Sequence, residues 1–331
     1  MIIMGIFEKI QHRIHTYYRQ EIVCEQYPML TSRSRKEWQN KGTLGIVYML
    51  HHITEKNRKG IPTNEDLKVS PAFLEDIIIK YKKSGFDFIS LNHLSEIISS
   101  NQKPKHPFIS FTLDDGYIDN YTQALPVFER HQTPFTIFIA TDFIDKKAIL
   151  WWDILEDIIL REDHITYGNA TYSCHTFQEK WDAFRIIRED ILRINQNKLE
   201  EALIEKFANY KVDWYKPIRQ QAMSWEQVKE ISQHPLCTIG GHTVSHLALN
   251  KLSDHEFHKE VSDGISKIQN VTDKCVFHFA YPYGSSNEIG DREYQLISDF
   301  GFKTVFSSYG GCITESNKNN ITHLPRVYLH E

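Results

Sequence analysis

The chain has 331 residues, enough to bury one large core or two smaller ones. Its 38 Lys+Arg against 43 Asp+Glu leave a net charge of −5, which excludes the basic bias of a nucleic-acid binder, and 41% hydrophobic with 24% charged residues is ordinary globular composition. Cys24, Cys174, Cys237, Cys275 and Cys312 are scattered, odd in number and never spaced C-x-x-C, which argues against a disulfide framework or a thiolate zinc site.

Residues 1–42 are expected to form a helical extension. Ile6, Ile10 and Ile14 recur at i, i+4, with Lys9, Arg13 and Arg19 elsewhere on the turn. Such a face packs on the protein itself or lies peripherally on an anionic membrane. The start lacks a basic n-region and a signal-length apolar core, and no stretch reaches membrane-spanning length, so a cytoplasmic location is expected.

From residue 43 to 331 one α/β domain is expected. Residues 44–50 (LGIVYML) read as a buried strand, and 70–85 as a helix capped by Ser70 and ended by Gly85. Residues 86–91 (FDFISL) and 107–113 (PFISFTL) are further strand candidates, followed by a helix at 120–132 and a strand at 134–140. Beyond them come a strand at 237–241, a helix at 254–271, a strand at 276–282, a helix at 292–301 and a strand at 302–308. Non-alternating β-rich runs between helices predict a parallel sheet covered by helices, with a barrel favoured over an open sheet. In either architecture, chemistry clusters at the carboxyl ends of the strands. Residues 153–222 are charged and helical without a convincing strand, and are read as a helical insertion beside the barrel mouth.

Three strand ends carry candidate chemistry. Asp114 and Asp115 in FTLDDG also fit an ordinary turn; as chemistry they need a positive partner, because adjacent carboxylates push their pKa values apart. A divalent cation could hold one as ligand and leave the other as base. His242 and His246 in GGHTVSH stand four apart and would share a side on a helical turn, a spacing common to metal ligands. FAYPYG places Pro282 and Gly284 around Tyr283, a stiff loop that packs an aromatic or presents a backbone N–H to an oxyanion.

Together these stretches resemble the polysaccharide deacetylases of carbohydrate esterase family 4. FTLDDG is similar to the family's T-F-D-D-G motif, HTVSH matches H-[ST]-x-x-H, and FAYPYG resembles R-x-P-Y. The resemblance implies a distorted (β/α)7-8 barrel with Asp114 as general base and Asp115, His242 and His246 as ligands of a divalent metal. Zinc is the first choice, with Co, Ni, Mn or Fe also compatible with the donor set. Where the third motif has arginine this chain has Ala280, so Arg326 in HLPRVYL is the candidate to orient Asp114. YMLHH resembles the N-terminal acid segment of permuted relatives such as poly-N-acetylglucosamine deacetylases, which points to His51 as general acid ahead of His52, His323 or His330. The implied substrate is an N-acetylated sugar, oligosaccharide or polysaccharide intermediate; the expected cytoplasmic location suits a lipid-linked or nucleotide-linked sugar, and the charge balance speaks against a nucleic-acid partner. Trp151, Trp152 and Tyr117 are candidates to line the cleft. Competing readings are a non-catalytic sugar-binding scaffold, for which the missing motif arginine speaks, and a non-haem iron oxygenase with a two-His-one-carboxylate site.

Overall fold

The computed structural model describes residues 42–100 and 103–331, so the expected extension over 1–42 lies almost wholly outside the described residues. Seven strands build the centre: β1 (Thr43–Leu50), β2 (Phe108–Leu113), β3 (Phe135–Ile139), β4 (Cys237–Gly241), β5 (His278–Ala280), β6 (Thr304–Gly310) and β7 (Leu324–Tyr328). Each lies parallel to its neighbours in chain order, and β1 pairs with both β2 and β7, which closes a distorted (β/α)7 barrel. The β1–β2 register is unbroken from Gly45↔Phe108 to Leu50↔Leu113.

Alternate residues on these strands divide between two apolar layers. Val47, Phe108, Phe138, Ala280, Phe306 and Leu324 share one buried cluster, while Ile46, Tyr48, Ile109, Phe111, Ile137 and Phe279 pack with helix residues Leu74, Ile77 and Ile78 in another. Both faces are therefore covered, as a parallel sheet requires. Aromatic crowding dictates small residues at close approaches: a Cβ on Gly240 would sit 2.4 Å from the Phe138 ring. The outer helices carry their own start signals. In the helix Pro71–Lys83, the Ser70 hydroxyl accepts from the Phe73 N–H. Its apolar side buries Leu74, Ile77, Ile78 and Tyr81, and removing one such aliphatic side chain costs about 2–5 kcal/mol.

Several elements depart from the sequence-based expectation. Residues 86–91 form only a two-residue strand, Asp87–Phe88, beside β2, because Ser90 caps a helix over Leu91–Ser99 instead. The helix expected over 120–132 starts as a π-turn at Asn120–Ala124 before Leu125–Arg130, where Pro126 supplies no N–H to the regular ladder. β7 was not expected, since it is short and contains both Pro325 and a charged Arg326.

The segment between β3 and β4 is not purely helical. Helices Trp151–Arg161, Phe177–Arg193, Leu199–Lys206 and Lys216–Gln221 accompany an antiparallel ribbon, His164–Tyr167 with Ala170–Ser173. Gly168, at φ 58°, permits its tight turn, and the Gly-Asn pair between short β-branched and aromatic runs was the overlooked hairpin signal. Trp151, Leu155, Ile158, Phe184, Ile187 and Phe207 give this segment a core of its own. Among the described residues, no helix is long and apolar enough to cross a membrane.

Candidate active site

β2 runs straight into the acidic pair. The Asp114 N–H donates to Leu50 O at 2.9 Å, which extends the β1–β2 ladder by one step. The chain then turns left-handed through Asp115 (φ 77°) and Gly116 (φ 93°), so the two side chains diverge. A non-glycine residue in that region costs of order 1–3 kcal/mol and persists where surroundings over-determine it. Thr243 (φ 68°), His246 (φ 55°) and Tyr283 (φ 59°) share the feature, which concentrates backbone strain at this mouth.

Asp114 is buried against a buried arginine. Arg326 Nη1 donates to Oδ1 at 2.7 Å and Nη2 to Oδ2 at 2.8 Å. The guanidinium is itself pinned by Nη1 to Thr112 Oγ1 at 3.1 Å and Nε to Ser307 O at 2.9 Å. It lies above the Phe138 ring, 5.6 Å from its centroid, at the top of the barrel lumen. Burial alone would raise the Asp114 pKa, but Arg326, with His242 and His51, outweighs it and holds the carboxyl below its ordinary range. Bidentate charge-assisted pairing also leaves the carboxylate little freedom to rotate.

Asp115 faces two imidazoles. Its Oδ1 lies 3.4 Å from His242 Nε2 and 3.3 Å from His246 Nε2, and has no hydrogen-bond partner among the described residues. The three ligand atoms all fall within 4.8 Å of one another. His242 Nδ1 is 2.7 Å from Ala280 O, so its N–H donates there and leaves Nε2 for a ligand. Burial opposes ionisation of Asp115, yet the two histidines and His51 pull its pKa well down. Burial pushes His246 to about 4, whereas the Asp115 partner raises His242 despite burial. One carboxylate and two imidazoles around an orphaned oxygen fit a zinc-like divalent ion.

The histidine pair is not on a helical turn, as its spacing had suggested. Residues 242–248 are loop, and left-handed Thr243 and His246 turn both rings inward, 5.0 Å apart. Glu260 holds that loop: its carboxylate accepts from Val244 N at 3.1 Å, Ser245 N at 2.8 Å and Ser245 Oγ at 3.0 Å. Nothing in the sequence spacing points to Glu260. Its partners are two backbone N–H groups and one hydroxyl, fifteen or sixteen residues away.

The remaining candidates separate. His51, just past β1, faces Asp115 and Asp114, whose charges act on it while burial lowers its pKa; its Nδ1 has no partner among the described residues. His52 points elsewhere, with Nδ1 2.7 Å from Asp119 Oδ2 and its ring 3.7 Å from Tyr117. Tyr117 is buried beneath it and does not line the open cleft. Tyr283 packs 4.9 Å from the His246 ring, with its pKa pushed by burial to about 12, and its N–H donates to no group among the described residues. Trp151 is buried in the core of the inserted segment, whereas partly buried Trp152 stands 6.0 Å from His246. His323 stacks on Tyr294, and His330 packs at a tilt against Tyr328.

Comparison with known proteins places this arrangement. A model of the polysaccharide deacetylase family matches residues 101–217 and 201–305. The YxkH protein of Bacillus subtilis (strain 168), assigned by name to the same family, is 22% identical over 242 residues, which cover 73% of this chain and 57% of that protein. The chain thus spans little more than half the length of that curated relative. Among solved structures, the Streptococcus pyogenes deacetylase PplD in complex with acetate superposes with TM-score 0.58 at 17% identity, covering 86% of this chain and 92% of that one. IcaB from Ammonifex degensii gives 0.54 at 16% identity, covering 87% and 92%. These likenesses agree with the barrel described above, and the family match spans most of it: the chain belongs to the polysaccharide deacetylase family.

Proposed function

We propose that this chain is a metal-dependent hydrolase that removes N-acetyl groups from a sugar, oligosaccharide or polysaccharide. The observation that carries this reading is the division of labour between adjacent acids, Asp114 clamped ionised by Arg326 and Asp115 turned toward two imidazoles. Asp115, His242 and His246 would hold the metal, zinc being our first choice. Bound there, it would polarise the amide carbonyl and acidify a water.

The chain's own groups account for the proton movements. Asp114, ionised at neutral pH, takes the proton from the attacking water. The free Tyr283 N–H donates to the oxygen that gains charge as the carbonyl becomes tetrahedral. Protonated His51 gives its proton to the departing amine, releasing acetate and the free amino sugar. Arg326 takes no proton; it supplies the fixed charge that the third-motif arginine would otherwise provide at Ala280. That substitution therefore does not favour a non-catalytic scaffold. We read residues 43–331 as one catalytic domain, with the 153–222 insertion forming one side of the cleft.

The test is acetate release by metal-reconstituted protein across a panel of N-acetylated and O-acetylated glycans. Release confined to N-acetylated compounds and abolished by chelation supports the reading. Release that survives complete metal removal would refute it.

A further inference from the structure

His51, the proposed general acid, lacks the usual means of orientation. A working imidazole is commonly held by a hydrogen bond on its second nitrogen. His51 Nδ1 is buried and has no such partner among the described residues. The Tyr328 ring, 6.0 Å away, offers packing alone. The direction of the His51 side chain is therefore set through its backbone.

That backbone is held at three successive points. Leu50 O accepts from the Asp114 N–H at 2.9 Å, and the His52 N–H donates to Leu67 O at 3.1 Å. Between them, His51 O accepts from Asn120 Nδ2 at 2.7 Å. Of these three bonds, only the one from Asn120 depends on a side chain.

Asn120 suits this role by placement and by chemistry. It is fully buried and opens the π-turn Asn120–Ala124, a departure from α geometry that recurs at functional sites. Its amide nitrogen carries two N–H groups, one for His51 O and one for Asp119 Oδ1 at 3.0 Å. Two acceptors on one side fix which way the amide points. Asp119 Oδ2 in turn lies 2.7 Å from His52 Nδ1, and both residues line a cavity of about 260 Å³. Adjacent side chains thus grip adjacent histidines: Asp119 the ring of His52, Asn120 the carbonyl of His51. The stretch that ends in Asn120 begins at Asp114, so one short segment carries the base and holds the acid.

We propose that Asn120 is the positioning residue for His51, acting through the His51 carbonyl to keep the imidazole in register with Asp114. The proposal rests on the reading of His51 as general acid and deepens it.

The test is a double-mutant cycle on full-length, metal-loaded protein, using the N-acetylated glycan on which the wild type is most active. Asn120→Ala should lower kcat about 10- to 100-fold, the scale set by a misplaced catalytic group, and leave KM within about threefold. In His51→Ala protein the same substitution should change kcat by less than about threefold, because no acid remains to be misplaced. Equal losses in both backgrounds, or wild-type kcat in Asn120→Ala, overturn the proposal. Asn120→Leu, which keeps the volume and donates nothing, is read in the same way if the alanine variant fails to fold. A second readout is independent of turnover: the imidazole signal of His51 in isotope-labelled, zinc-loaded protein, assigned with His51→Ala. Loss of the Asn120 amide should displace that signal and leave the His278 signal in place; an unmoved His51 signal overturns the proposal. A displaced signal in protein that releases no acetate would sink the catalytic reading and leave the positioning of His51 standing.

Discussion

The two ends of the barrel bury histidines to opposite effect. Where β5 begins, His278 has Nδ1 2.7 Å from Thr304 Oγ1 and Nε2 3.1 Å from Asn92 Oδ1, with its pKa held by burial near 3. It is neutral, satisfied on both sides and remote from any carboxylate that could share a ligand. At the opposite mouth, His51 Nδ1, His246 Nδ1 and Asp115 Oδ1 are the buried imidazole and carboxylate atoms left without a hydrogen-bond partner among the described residues. A completed polar network stabilises and specifies; an incomplete one in the same protein marks where another group is meant to bind. The contrast gives burial of a histidine a meaning that burial alone lacks.

The strongest way to break the contrast is to remove a proposed metal ligand. His242→Ala or Asp115→Ala should lose bound metal and, with it, turnover, and metal analysis of dialysed protein reads the first directly. Saturating metal at about 100 times its dissociation constant should add about 2.7 kcal/mol to the wild-type stability and nothing to these variants.

Arg326→Ala should come next. It leaves Asp114 as a buried charge without its partner, a change that costs about 3–5 kcal/mol where both groups were buried. The sign with pH follows from the lowered Asp114 pKa. In the wild type the ion pair contributes above the unfolded value of about 3.9, and the contribution fades as pH falls through the folded one. Without Arg326, burial is opposed only by the histidines His242 and His51, and the Asp114 pKa rises. The acid limb of the kcat/KM profile should then move to higher pH, and an unmoved limb would separate Arg326 from Asp114.

His51→Ala sharpens the distinction between neighbours. Loss of a general acid typically costs 10²–10⁴-fold in rate, so kcat should fall within that range. His52→Ala, whose side chain is occupied with Asp119, should fall by less than about tenfold; the reverse order would exchange the assignments.

The smallest effect belongs to the satisfied end. His278→Gln should destabilise by about 1–3 kcal/mol through imperfectly paired Thr304 and Asn92, with kcat/KM within about twofold of wild type. Because the folded His278 pKa is depressed, the unfolded chain binds more protons below about 6.5, and wild-type stability falls with pH from there toward 3. The glutamine variant should show a shallower decline over that interval in denaturant titrations.

Much of the barrel was legible because parallel strands buried on both faces leave long apolar runs, as in residues 44–50 and 134–140. β7 was not, because Pro325 and Arg326 break such a run, although Arg326 itself could be singled out from its L-P-R context. The acids and histidines could be found as residue types, but how they converge could not. The 242–246 loop depends on left-handed backbone at Thr243 and His246, which is set by packing and by Glu260 rather than by spacing. The cavity lined by His52, Lys68, Asp119, Trp152 and Gln221 depends on side chains from five separate stretches, which no local pattern announces.

The central claim is that adjacent acids do different work, Asp115 holding metal and Asp114 moving a proton. It is tested most directly by measuring metal content and acetate release together in Asp114→Asn protein. The account predicts about one metal per chain, as in the wild type, with acetate release reduced by 10² or more, the scale set by loss of a general base. Near-wild-type release with metal bound, or loss of the metal itself, would contradict it.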